Sequence, residues 1–190
     1  MPTPSKQKTT SCTASRSSGI HDGMAIATIR SAEEADLQRL TEIYNYYVVN
    51  TPITFDLDPF SVEERRAWFL HYSTSGPHRL LIAETDGTAV GYVTSSRFRP
   101  KAAYETSVET TIYLAPEATG RGVGTALYAA LFAALAEEDL HRAYAGVTLP
   151  NTASVALHRK VGFRSIGVYR EVGRKFGKYW DVEWFEKPLD

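Results

Sequence analysis

Between residues 118 and 127 the chain reads Ala-Thr-Gly-Arg-Gly-Val-Gly-Thr-Ala-Leu, with Gly120, Gly122 and Gly124 at alternate positions. Glycine allows left-handed backbone angles and close approach to a ligand. The segment joins an apolar run that reads as a strand to a long apolar run that reads as a helix. The first N–H groups of that helix then point outward, where its dipole favours negative charge. Such an arrangement suits a pyrophosphate; the alternative is a tight strand-to-helix turn that holds nothing. Two nucleotide fingerprints fail here. A Walker loop needs Gly-x-x-x-x-Gly-Lys-Ser/Thr, and no Lys follows these glycines. A dinucleotide fingerprint counted from Gly120 needs Gly where Thr125 stands, and the next strand ends Val147-Thr148-Leu149-Pro150-Asn151 without an acidic residue.

The titratable candidates lie on either side of this turn. Glu109 is the one carboxylate in the run Val108–Leu114 and shares a strand face with Thr111 and Tyr113. Partial burial there would raise its pKa and make it a better proton acceptor; the alternative is a strand-end glutamate paired with Arg99 or Lys101. Asn151, Ser154 and His158 fall at i, i+3 and i+7 and so share one helical face. His158 is an acid–base candidate or a satisfied surface histidine, and Asn151 is a ligand contact or a helix N-cap. Arg99, Lys101 and Tyr104 precede Glu109 on a loop and can clamp an anionic group, arginine bidentately. Lys175 is a further candidate; for it and Lys101 a solvated basic loop is the alternative. Phe55, Tyr46 and Tyr113 can wall a pocket or fill a core.

The elements that must position these residues follow from periodicity. Ala25–Arg30 alternates as a first strand. Ser31 is a candidate cap for a helix with Leu37, Leu40, Ile43 and Tyr44 at helical spacing. Ser61 and Glu64 form a capping-box pattern ahead of Trp68 and Phe69. Strands are expected over Leu80–Thr85 and Ala89–Thr94, joined at Asp86-Gly87, a hairpin turn signal, and over Val108–Leu114. A helix follows over residues 122–138, then a strand over 143–149 and a short helix over 152–161. Strands over Ser165–Val172 and Tyr179–Lys187 pair across a glycine-rich connection. The order β-α-α-β-β-β-α-β-α-β-β predicts an α+β domain with a mixed sheet flanked by helices.

Composition bounds the function. The 190 residues suffice for one domain with a hydrophobic core. With 21 Lys and Arg against 22 Asp and Glu, the net charge is -1, which argues against a nucleic-acid footprint. No apolar run approaches the roughly 20 residues of a membrane span. The one cysteine, Cys12, excludes an internal disulfide. Residues 1–23 are polar, rich in Ser and Thr and without apolar periodicity, and are expected to form a disordered tail ahead of a domain at 24–190; a misplaced start before Met24 and a transit peptide are the alternatives.

The glycine turn resembles the coenzyme A loop of the GNAT acetyltransferases, Gln/Arg-x-x-Gly-x-Gly/Ala, with Thr119 at the first place. Further segments resemble the phosphinothricin N-acetyltransferase family. They are Ile43-Tyr44-Asn45-Tyr46-Tyr47 with Thr54-Phe55, Ala103-Tyr104, Val108–Leu114, Leu149-Pro150-Asn151, Leu157-His158 before Gly162-Phe163, and Gly173–Gly177 leading to Trp180-Asp181-Val182. Thr106 stands where that family often has an aromatic residue, and Phe176 and Trp180 where it often has histidine. The resemblance covers roughly residues 26–188. It implies the GNAT acyl-CoA N-acyltransferase fold, with a central, mostly antiparallel mixed sheet, and acetyl-CoA as co-substrate with no metal. The coenzyme contacts implied are Ile112, Tyr113, Leu114, Thr119, Gly120, Arg121, Gly122, Val123, Gly124, Thr125, Asn151 and Ser154.

The same resemblance implies that Glu109 is the base and His158 an acid–base or positioning residue. A backbone N–H within Ile112–Leu114 is implied to stabilise the oxyanion. Phe55, Arg99, Lys101, Tyr104 and Lys175 are the candidates for amine recognition. The expected acceptor is the free amino group of a small amino-acid-like molecule of the phosphinothricin, methionine sulfoximine or methionine sulfone type, handled by a cytoplasmic homodimer without nucleic-acid or membrane partners. The alternatives are a GNAT acting on protein N-termini or a polyamine, and a non-catalytic domain that binds acetyl-CoA.

Overall fold

The computed structural model describes Met1 and residues 27–189. Apart from Met1, the expected tail lies outside the described residues, as do Cys12 and the boundary at residue 24. Strand β1 spans Thr28–Ser31, and the first residues expected for it, 25 and 26, also lie outside. Helix α1, Leu37–Asn50, follows a single 3₁₀ turn at Glu34–Asp36. Its cap is not Ser31. Asp36 accepts from the Glu33 N–H at 2.7 Å, and Arg30 of β1 grips both Asp36 oxygens at 2.7 and 2.9 Å, so the carboxylate that closes the turn is set by the neighbouring strand. Leu37, Leu40 and Ile43 are buried, as their spacing requires. Helix α2, Val62–Phe69, begins with the reciprocal Ser61/Glu64 capping box.

Strands β2 (Leu80–Thr85) and β3 (Thr88–Arg97) form a hairpin whose turn residues Asp86 and Gly87 have φ of 51° and 74°. Two left-handed residues are what a tight twisted hairpin demands. Strand β4 spans Ser107–Leu114 and helix α3 Val123–Leu135. The helix stops short of Glu138, whose carboxylate is held by Arg79 at 2.9 Å from the start of β2. Leu127, Leu131 and Leu135 join Ile82 and Val93 in the core. Strand β5 (Arg142–Thr148), helix α4 (Thr152–Lys160), β6 (Arg164–Lys175) and β7 (Lys178–Pro188) complete the domain. The last hairpin turns at Phe176 and Gly177 alone, both left-handed, so β6 runs on through Gly173 to Lys175 where a longer connection was expected.

Among the described residues the sheet has seven strands in the order β1-β2-β3-β4-β5-β7-β6, and every neighbouring pair but one is antiparallel. The exception shapes the site. Strands β4 and β5 pair in parallel only through Ser107↔Arg142, Val108↔Ala143 and Glu109↔Tyr144. Beyond that point β4 continues to Leu114 along β3, and β5 continues to Thr148 along β7, with no ladder between them. The sheet therefore opens into a V whose apex lies at Glu109 and Tyr144.

Candidate active site

The arms of the V enclose a small cavity of about 60 Å³ bordered by Glu109–Tyr113, Gly146–Thr148, Asn151, Ser154 and His158. It adjoins a groove of about 450 Å³ that runs past Ile112–Leu114 and Tyr47 to Thr119, Gly120, Gly122 and Thr125. Ala115 donates to the Val90 carbonyl at 2.8 Å. Ladder bonds alternate along an antiparallel strand, so Thr111 and Tyr113 face β3 with their backbone groups. The N–H groups of Ile112 and Leu114 are turned the other way, into the gap. Tyr47, absent from the sequence-based candidates, donates its hydroxyl to the Leu114 carbonyl at 2.6 Å and fixes that rim. Its position three residues after Tyr44 was the available signal, but spacing alone does not separate a pocket wall from core.

At the far end Gly120 and Gly122 take φ of 73° and 80°, and Gly122 is the N-cap of α3. Among the described residues no side chain caps this helix, so the N–H groups of its first turn remain for an external acceptor. A Cβ built on Gly120 or Gly122 meets nothing within 4 Å, so the cradle is open on its outer side. The third glycine, Gly124, also borders the groove but has a second role. A Cβ on Gly124 would stand 2.8 Å from Leu157 Cδ2, so Gly124 permits close packing of α3 on α4. Val123 is a core residue, Arg121 is exposed, and neither borders the groove. The Thr119 hydroxyl turns back to the Pro116 carbonyl at 2.8 Å.

Glu109 is half-buried at the apex. Burial pushes its carboxyl above the ordinary glutamate value, and the positive charge of Arg99 pulls it back part of the way. Among the described residues it has no ion-pair partner within 4 Å, so the expected alternative of a salt bridge to Arg99 or Lys101 does not hold. Arg99 instead lies over the Phe98 ring at 4.5 Å, and Phe98 stacks on Tyr144 at 4.3 Å with the Tyr104 ring edge-on at 5.9 Å. Arg99 and Tyr104 thus gather at the Glu109 end of the cleft. Lys101 is exposed just before the 3₁₀ turn Ala102–Tyr104 and borders neither the cavity nor the groove.

His158 is buried with both ring nitrogens engaged. Nδ1 lies 2.8 Å from the Ser154 carbonyl, which can only accept, so Nδ1 carries the proton. Nε2 then accepts from the Tyr128 hydroxyl at 2.9 Å. Burial holds the imidazole below its usual value, which favours this neutral form. The ring borders the gap as a fixed element and is not a free acid. Tyr128 was missed; a tyrosine within an otherwise apolar helix was the sequence signal, because a buried phenol needs a partner. Asn151 caps α4, its Oδ1 accepting from the Ser154 N–H at 3.1 Å.

Phe55 and Lys175 meet each other's segments outside the open groove. The Lys175 ammonium, 3% exposed, donates to the Thr54 carbonyl at 2.8 Å and does not border the cleft, contrary to its expected place among substrate contacts. Ile53, one residue earlier, does border it. Tyr46 is exposed, whereas Tyr113 both borders the cleft and packs edge-on against Tyr44 at 5.0 Å.

A split parallel pair, a helix start left open to an anion and a carboxylate at the far end of the groove are the features of an acyl-transfer site for a long, diphosphate-bearing donor. The chain belongs to the GNAT acetyltransferases: the profile described as an acetyltransferase (GNAT) domain matches residues 29–184. It is 59% identical over 170 residues to a phosphinothricin N-acetyltransferase of Streptomyces coelicolor, covering 88% of this chain and 99% of that one. A phosphinothricin acetyltransferase from Sinorhizobium meliloti, solved in complex with AcCoA, superposes with a TM-score of 0.81 at 34% identity, over 86% of this chain and 89% of that one. A ribosomal-protein-alanine N-acetyltransferase from Brucella melitensis reaches 0.81 at 37% identity, over 85% and 99% of the two chains. The expected resemblance and fold class are borne out.

Proposed function

We propose that this chain transfers acetyl from acetyl-CoA to the free amino group of a small amino-acid-like molecule of the phosphinothricin or methionine sulfone type. The observation that carries this reading is the pairing of an α3 N-terminus with a half-buried Glu109 at opposite ends of the joined groove and cavity, the first uncapped and the second without an ion-pair partner among the described residues. In this reading the diphosphate rests on the Gly120–Thr125 amides, and Asn151 and Ser154 border the pantetheine arm. An amine of pKa about 8 to 10 arrives protonated. Glu109 takes one proton, directly or through water, and the freed lone pair attacks the thioester carbonyl carbon. An N–H of Ile112 or Leu114 stabilises the oxyanion. The C–S bond breaks, and the departing thiolate takes the second proton lost by the nitrogen. His158 and Tyr128 hold the wall of the gap in one hydrogen-bonding state.

Arg99 and Tyr104 recognise the anionic head of the amine, and Phe55 contributes a wall beyond Ile53. The route draws on side chains, backbone amides and water and calls for no metal. We further propose a cytoplasmic homodimer that uses the β6 edge, where Ile166, Tyr169 and Val172 are about half exposed on a strand paired on one side only. The Brucella neighbour favours a second reading, acetylation of a protein N-terminus.

Coenzyme thiol release separates these. Phosphinothricin, methionine sulfoximine and methionine sulfone should each support turnover, and spermidine and an alanine-starting peptide should not. Glu109→Gln should lower kcat by about 10²- to 10⁴-fold with acetyl-CoA affinity changed less than about twofold. Turnover on the peptide alone would replace this reading with the second. Coenzyme binding without thiol release from any amine would make the domain non-catalytic.

A further inference from the structure

We propose that Lys175 and Gly173 of β6 are positioning residues that set the amine-side wall of the cleft by holding the Ile53–Asp56 segment, without touching the amine themselves. The inference rests on the reading above that Phe55 walls the amine pocket. Burying an ammonium is costly unless it is well bonded, yet Lys175 is 3% exposed with its amine aimed at the Thr54 main-chain carbonyl, 2.8 Å away. No carboxylate lies within ion-pair distance of it among the described residues. A loop carbonyl does not by itself require a charged partner, so the lysine acts as a tie between two distant parts of the chain, 121 residues apart.

Two residues earlier, Gly173 leaves a slot that the Phe55 ring fills. A Cβ there would stand 2.1 Å from Phe55 Cε2 and 2.3 Å from Cζ. Gly173 is not left-handed, so the glycine is required by the ring and not by the backbone. The other sides of the segment are held as well. The Tyr44 hydroxyl of α1 donates to Asp56 and lies 2.7 Å from Thr54 Oγ1, while Thr148 of β5 donates to the Ile53 carbonyl at 3.3 Å. Thus Ile53, which borders the cleft, and Phe55 stand in one chain segment clamped between α1, β5 and the irregular stretch of β6 that follows Tyr169. Pocket width on the amine side is thereby set from a sheet edge that does not border the cleft.

The test measures amine KM, kcat and acetyl-CoA Kd for Phe55→Ala, Lys175→Met, Gly173→Ala and the doubles carrying Phe55→Ala. The expected result is a rise in amine KM of about tenfold in each single variant, with kcat and coenzyme Kd within about twofold. Gly173→Ala and Lys175→Met should then add little to Phe55→Ala, because residues acting through one contact are not additive. A lysine that bonds the amine itself would raise KM again in the Phe55→Ala background, and that result overturns the inference. So does a raised KM in Phe55→Ala alone, with Lys175→Met and Gly173→Ala unchanged. An unchanged KM in Phe55→Ala instead defeats the reading of Phe55 as a pocket wall. If Lys175→Met does not fold, the Gly173→Ala cycle decides.

Discussion

The cradle at the start of α3 can be tested with a matched pair of glycines. Gly122 and Gly87 have φ of 80° and 74°, and a Cβ on either meets nothing within 4 Å. Alanine at each position therefore carries the same backbone penalty, about 1–2 kcal/mol for a left-handed L-residue. In a domain of this size that lowers the melting temperature by about 2–8 °C, equally for the two variants. Only Gly122 lies where the diphosphate would rest. A methyl there that costs one charge-assisted hydrogen bond removes about 1.5–3 kcal/mol, or roughly 10- to 100-fold in acetyl-CoA Kd. Thermal melts of the free proteins and calorimetric titration with acetyl-CoA measure the two terms separately. If Gly122→Ala and Gly87→Ala bind the coenzyme within about twofold of each other, the diphosphate does not lie on this turn.

Three further outcomes follow from the geometry. Arg99→Gln removes the charge that lowers the Glu109 carboxyl, so the acid limb of kcat/KM against pH should move to higher pH; an unmoved or lowered limb would separate Arg99 from the base. Gly124→Ala should gain about 1 kcal/mol of helix propensity but lose about 1–3 to overpacking against Leu157. The net loss of about 1 kcal/mol in chemical denaturation should be largely restored by adding Leu157→Val. His158 is held neutral below the usual imidazole value, so the unfolded chain binds a proton that the folded chain refuses. Its contribution to stability should be full above pH of about 6.5 and be lost as pH falls through the lower folded value. Urea midpoints measured down the acid side should fall less steeply for His158→Gln.

Local chemistry was readable residue by residue. The Ser61/Glu64 box, the Asp86-Gly87 turn and the buried stripe of α1 depend on contacts a few residues apart, and they formed as their spacing requires. The glycine turn was readable as an anion cradle because left-handed angles and an open helix start are backbone properties. What Gly124 does was not, since its partner Leu157 is 33 positions away and on another helix. Likewise Ser31 met the requirements of a cap, but the chain enters α1 through a turn closed by Asp36, which Arg30 of β1 holds in place.

Glu109 stood out in sequence as a carboxylate in an apolar strand. Only the tertiary structure decided that it ends the last pair between β4 and β5, with no ion-pair partner among the described residues and an open cleft before it. The same holds for His158 and Lys175. Their side chains were visible as titratable groups, but Tyr128 and the Thr54 carbonyl, which commit them to fixed roles, come from segments far along the chain. Sequence spacing determines which residues share a helix face or a strand face. Which faces meet, and so whether a charged group is paired, buried or free to react, depends on long-range packing that no local pattern encodes.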